Sequence, residues 1–176
     1  KKLKNNEKIA MLAAKTFGSS LKFFKKDFKK NKKICLNAVN QYGLSLKFVH
    51  KDLKNEKKIV LKAIKNNPFA LKFASQSLRK NELFIQKVVK FNGLSILYAD
   101  EKLKNNKQIA LSAVSKNGLA LEYISSNLKS DPQVVSKAIE QNGFSLIYAN
   151  KKFKKNKKFL DLAMKKNKYV KHYINS

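Results

Sequence analysis

Side chains able to do chemistry are few in this chain, and they are scattered. His50 and His172 are its only imidazoles and Cys35 its only thiol. Zinc takes three or four such ligands at fixed spacing, and this set provides no such spacing. Acid–base catalysis needs carboxylates or histidines that converge in a cleft. The eleven acidic residues fall at scattered phases of the chain, and Asp131 reads better as a helix cap. The glycines come singly, as helix stops, so no glycine-rich phosphate loop is present. Cys35 stands where Ala10, Val60 and Ala110 recur, which reads as a small buried apolar residue and not as a nucleophile. No catalytic, cofactor or metal residue is assigned, and the chain is expected not to be an enzyme.

What does recur is a phrase. Residues 92–99 read NGLSILYA, residues 117–124 NGLALEYI and residues 142–149 NGFSLIYA, at intervals of 25. Cutting every 25 residues from Lys1 gives seven repeats without an insertion: 1–25, 26–50, 51–75, 76–100, 101–125, 126–150 and 151–176. Repeat position 9 reads Ile9, Ile34, Ile59, Phe84, Ile109, Val134 and Phe159. Position 13 reads Ala13, Ala38, Ala63, Val88, Ala113, Ala138 and Ala163. Position 23 is aromatic throughout: Phe23, Phe48, Phe73, Tyr98, Tyr123, Tyr148 and Tyr173.

Each repeat reads as two short helices. The first opens after an Asn or Asp cap at Asn6, Asn31, Asn81, Asn106, Asp131 and Asn156. Apolar residues follow at positions 9, 10, 13 and 14, one stripe at helical spacing. Asn-Gly pairs such as Asn92-Gly93 end it, where glycine tolerates a left-handed residue. The second helix runs from about position 19 into the next repeat. It is expected to bury its aromatic position 23 and to present a small residue at position 20 for close approach. Neither helix can bury its stripe alone, so stacked neighbours must share one core. The fold class is all-α: a right-handed-type α-solenoid of seven two-helix repeats, one repeat domain over residues 1–176. By this phasing the first residues begin inside a second helix, so the sequence reads as a fragment of a longer chain.

The stretch LKNNKQIALSAVSKNGLALEYIS (residues 103–125) resembles the repeats of the domain-of-unknown-function family 4116. The likeness lies in the leucine, the Asn/Asp cap, the apolar-Ala-apolar helix, the Asn-Gly stop and the tyrosine-bearing end. It covers nearly the whole chain and is weakest over residues 1–25 and 151–176. The resemblance implies a repeat fold and carries over no activity and no functional residue.

The net charge is +29, which favours anionic partners. Only Arg79 among the 40 basic residues is arginine, and part of the lysine excess fits AT-rich codon usage. Position 4 is basic in every repeat: Lys4, Lys29, Lys54, Arg79, Lys104, Lys129 and Lys154. Stacking would turn that column into a ladder for a polyanion. A cation near a helix C-terminus also offsets the helix dipole, which is a structural reason for the same column. Charge is uneven, with +6, +5, +5, +2, +2, 0 and +9 along the seven repeats. In the middle repeats surface positions turn neutral or apolar. Leu97, Glu122 and Ile147 replace Lys22, Lys47 and Lys72 at position 22, Leu83 replaces lysine at position 8, and Phe91 stands among polar neighbours. Leu83, Phe91, Leu97 and Ile147 are therefore the candidate contact for another protein or an adjoining domain.

The expected function is a non-enzymatic interaction scaffold with basic ends. The alternative is sequence-blind binding of nucleic-acid phosphates by lysine, since base readout favours arginine, asparagine and glutamine. Docking on an anionic membrane ranks below both, and no small-molecule substrate or cofactor is expected. The single cysteine suits a reducing, cytoplasmic setting, with a targeting segment beyond the sequence left open.

Overall fold

An apolar-striped stretch of ten residues recurs in every repeat, and in every repeat it is helical. A computed structural model describes residues 6–174. It contains long helices α1 (Glu7–Thr16), α2 (Lys32–Gln41), α3 (Lys57–Asn66), α4 (Glu82–Phe91), α5 (Lys107–Lys116), α6 (Pro132–Gln141) and α7 (Lys157–Lys166). The carboxamide oxygens of Asn6 and Asn31 and the carboxylate of Asp131 each accept two first-turn amides. Asn81, Asn106 and Asn156 cap in the same way. Positions 9, 10, 13 and 14 of α2 and α3 are buried, as are those of α5 and α6. The described residues contain no strand. No helix among them is long and apolar enough to cross a membrane.

The chain divides into two compact units, residues 1–84 and 85–176, with the boundary inside α4. In the N-terminal unit α1 packs on α2 and α2 on α3. A second row is made by the 3-10 segments Gly18–Phe23, Gly43–Phe48 and Pro68–Phe73, each against the next. In the C-terminal unit α5 packs on α6 and α6 on α7, beside a row of Gly93–Tyr98, Gly118–Tyr123 and Gly143–Tyr148. Polar rungs tie neighbouring helix starts together. Asn31 Nδ2 donates to Glu7 Oε1 at 2.7 Å, Lys32 meets Glu56 at 2.8 Å, and Lys107 meets Asp131 at 2.7 Å. The Lys107 ammonium and the helix amides hold the Asp131 carboxyl below its ordinary range.

The second helix expected in each repeat is two pieces. After the 3-10 segment comes an extended residue at position 24, and then a short turn such as Lys26–Lys30, Lys51–Asn55 or Glu101–Lys104. The reason is periodicity. A 3-10 segment has about three residues per turn, so positions 18, 21 and 24 fall on one side. Gly43, Leu46 and Val49 are buried on that side, as are Gly118, Leu121 and Ile124. The small position 20 is also buried, at Ser45, Ala70, Ser95, Ala120 and Ser145.

The Asn-Gly pairs do other work than stopping a helix in a left-handed turn. No described residue has positive φ. Position 17 is extended, with φ of −151° at Asn92, Asn117 and Asn142. Its side chain caps the following 3-10 segment: Asn117 Oδ1 accepts from the Leu119 amide at 3.0 Å, and Asn67, Asn92, Asn142 and Asn167 repeat the bond. Phe17 and Tyr42 hold this position in the first two repeats. The next repeat reaches back as well: Gln41 Oε1 and Asn66 Oδ1 accept from the Gly18 and Gly43 amides at 2.6 Å, and Gln141 Oε1 accepts from the Gly118 amide. Asn117→Ala removes a cap, and a loss of about 1 kcal/mol is expected from urea unfolding. An unchanged midpoint would show that the capping bond contributes nothing.

Candidate functional site

The basic column at position 4 sits against backbone. Lys29, Lys54, Arg79, Lys104, Lys129 and Lys154 are all half-buried, and Lys4 lies outside the described residues. Lys29 Nζ donates to the Lys22 carbonyl and Lys54 Nζ to the Lys47 carbonyl, each at 2.9 Å. Both carbonyls belong to the last turn of the preceding 3-10 segment, where the orphan acceptors of a helix end lie. Lys104 pairs with Glu101 at 2.7 Å. The column's own carbonyls are used as well. Those of Lys29, Lys54, Lys104 and Lys129 accept the amides of His50, Ser75, Ser125 and Asn150 at 2.9–3.2 Å. Burial lowers the Lys54 ammonium below its ordinary range. The column thus has an architectural role in the repeats where these bonds form: it closes one segment and accepts the next.

The aromatic column at position 23 is not core. Phe48, Phe73, Tyr98, Tyr123 and Tyr148 are half-buried, Phe23 is 72% exposed and Tyr173 61%. The α-helical spacing used to place it inside overlooks the tighter 3-10 winding, which turns position 23 off the side that carries 18, 21 and 24. Positions 22 and 23 therefore form a surface row, and its chemistry differs between the two units.

In the N-terminal unit the row reads Lys22-Phe23, Lys47-Phe48 and Lys72-Phe73. All three lysines are exposed. Lys22 Nζ lies 4.5 Å from the Phe23 ring centroid and Lys47 Nζ 6.0 Å from that of Phe48. In the C-terminal unit the row reads Leu97-Tyr98, Glu122-Tyr123 and Ile147-Tyr148, all half-buried. The Glu122 carboxylate lies beside the Tyr123 and Tyr148 phenols. Burial first, and then this carboxylate, push both phenols above their ordinary range. One carboxylate thus acts on tyrosines from two successive repeats.

The four apolar residues expected as a contact fall on two kinds of element. Leu97 and Ile147 lie in the 3-10 row on either side of Glu122. Leu83 and Phe91 lie on α4, and are 77% and 42% exposed. Leu83 continues the outer column of Lys33, Lys58, Gln108 and Gln133, which are all exposed. The tyrosine–glutamate cluster is the feature that sequence reading missed. Its signal was present, because Glu122 and Tyr123 are adjacent and Tyr148 follows one period later.

One histidine lies beside a carboxylate. His50 Nδ1 lies 3.2 Å from Asp52 Oδ2, and its imidazole accepts the Asp52 amide as a turn cap. His172 is exposed at the C-terminal end. Among the described residues no three His, Cys, Asp or Glu side chains are grouped as a metal site. An open cleft of about 470 Å³ on α1 and α2 is lined by Glu7, Lys8, Met11, Leu12, Lys15 and Lys33, and its one carboxylate already binds Asn31.

A family model described as Domain of unknown function (DUF4116) matches residues 31–79, 81–129 and 131–174. Each match opens on the cap residue of a long helix, Asn31, Asn81 or Asp131, and takes in two consecutive long helices. No curated protein and no solved structure matches the chain.

Proposed function

The chain belongs to the family described as Domain of unknown function (DUF4116), and we propose that it is a non-enzymatic helical-repeat scaffold whose C-terminal unit binds a protein through the Leu97–Tyr148 row. One observation carries this reading. At position 22 the lysines of the first three repeats give way to Leu97, Glu122 and Ile147, beside the tyrosines at position 23. Where the N-terminal unit carries a row of ammonium groups, the C-terminal unit has a strip of aliphatic and phenolic groups around a single carboxylate. Tyrosine supplies large contact area with little side-chain entropy to lose, and the cores of interfaces are depleted in charge. Of the four apolar residues first considered, this face uses Leu97 and Ile147. The unpaired Cys35 fits an intracellular site of action.

Site-specific photo-crosslinking tests the proposal. A benzophenone side chain at position 147 is expected to trap a discrete partner from the native host. The same group at position 108, on the outer side of α5, is expected to trap none. Glu122→Lys should lower the yield about tenfold, a loss of about 1.4 kcal/mol, with the melting temperature kept within a few degrees. Equal, diffuse labelling from both positions would rule the face out.

A further inference from the structure

The N-terminal unit carries the same row with the opposite chemistry, and we propose that Lys22-Phe23, Lys47-Phe48 and Lys72-Phe73 bind single-stranded nucleic acid. The bases stack on the phenylalanine rings and the phosphates pair with the ammonium groups.

Three observations converge. The first is placement: three aromatic rings recur at one position of 3-10 segments that pack directly on one another. Packed helical elements lie roughly 8–10 Å apart, a stride of about two to three nucleotides at the 3.4 Å rise of a stacked strand. The second is access. Phe23 is largely exposed, and the Lys22 ammonium sits 4.5 Å from its ring centroid. A ring face that an exposed lysine can cover is a face that a base can cover. When a strand binds, the ammonium moves to phosphate and the base takes its place. The third is charge. The three repeats involved carry +6, +5 and +5, and every ring has an exposed lysine immediately before it. Behind the row, the half-buried ammonium groups of Lys29 and Lys54 are fixed on the Lys22 and Lys47 carbonyls. They add a second positive line and stiffen the backbone that carries the first.

Alternating cations and stacking platforms are how proteins hold unpaired strands without reading sequence. A duplex hides its base faces, so the rings would gain nothing from it. Near-absence of arginine removes the usual partner for guanine edges, so binding is indifferent to base identity apart from stacking strength. The proposal is independent of the protein-binding face in the C-terminal unit.

Fluorescence anisotropy of the whole chain tests it, with labelled oligothymidylate against a duplex of equal length. The single strand is expected to bind more tightly, and its affinity to fall steeply with salt. Phe48→Leu with Phe73→Leu keeps apolar packing and removes the stacking surface, and should weaken the single strand at least about tenfold. Phe48→Tyr with Phe73→Tyr, the residue found at this position in the C-terminal unit, should retain binding within about twofold. Lys22→Gln, Lys47→Gln and Lys72→Gln together should flatten the logarithmic salt slope by about two. Three results overturn the proposal: no binding at low salt, a duplex bound as tightly as the single strand, or indifference to the leucine pair while lysine changes still act. The last would mean phosphate attraction alone. Glu122→Lys is expected to leave the strand affinity unlowered, which separates this row from the protein-binding face.

Discussion

Gly93→Ala is expected to cost about 3 kcal/mol or more, a large share of the 5–15 kcal/mol that holds a typical domain folded. The cost comes from the neighbouring repeat. A Cβ on Gly93 would lie well under 3.0 Å from the Ala113 carbonyl oxygen, 3.0 Å from its carbon and 3.1 Å from the Asn117 nitrogen. All three atoms are backbone of α5 or its cap, so no rotamer change relieves the overlap. The 3-10 segment and the helix must move apart, and the buried contacts of Ser95 and Ile96 loosen with them. Gly18, Gly43, Gly118 and Gly143 meet the Ala38, Ala63, Ala138 and Ala163 carbonyls in the same way. Denaturant unfolding followed by circular dichroism measures the loss. Gly93→Asn distinguishes the cause. Asparagine tolerates a left-handed backbone, so it would be accepted if conformation were the reason for glycine. Here it should be as damaging as alanine. A midpoint shift of less than about 0.5 kcal/mol for Gly93→Ala would remove close approach as the explanation.

Those glycines mark how far the fold can be read from residues alone. The seven-fold period, the long helices, their caps and the core columns at positions 9, 10, 13 and 14 were all legible, because a ten-residue stripe repeated seven times overdetermines its phase. The 3-10 row was not. Over six residues, windings of 3.0 and 3.6 residues per turn diverge by only about 100°. That is enough to move position 23 from core to surface and too little to leave a pattern in so short a segment. The aromatic column was thus visible as a column and misplaced in depth. The basic column was visible too, with a dipole rationale, while its bonds to the Lys22 and Lys47 carbonyls needed coordinates. The division of the chain left a trace that is easy to overlook. Glycine stands at position 18 except at Pro68 and Lys168, in the last whole repeat of the N-terminal unit and the last repeat of the C-terminal one. The two faces differ at position 22, which lies off the side that carries 18, 21 and 24. Lys22, Lys47 and Lys72 can become Leu97, Glu122 and Ile147 without disturbing what lies beneath.

Cys35 gives the second large effect. In the folded protein it is expected to react with a thiol-specific reagent about a thousandfold more slowly than in the unfolded chain at neutral pH. Its side chain is fully buried on α2, and Sγ donates to the Lys29 carbonyl at 3.2 Å. Burial pushes the thiol from an ordinary 9.0 up to about 12. The thiolate is the reactive form, and three pH units remove it by about three powers of ten. The sign for stability follows. The fold keeps the thiol protonated, so its contribution is complete below about pH 9. It is lost progressively as pH rises from there towards about 12, because the unfolded thiol ionises first. Reaction of the native protein must then proceed through opening of α2 away from Lys29. Its rate should rise with denaturant in step with the opening of that part of the N-terminal unit. A native rate equal to that of a free thiol would mean an accessible thiolate. That single result would restore Cys35 as a nucleophile.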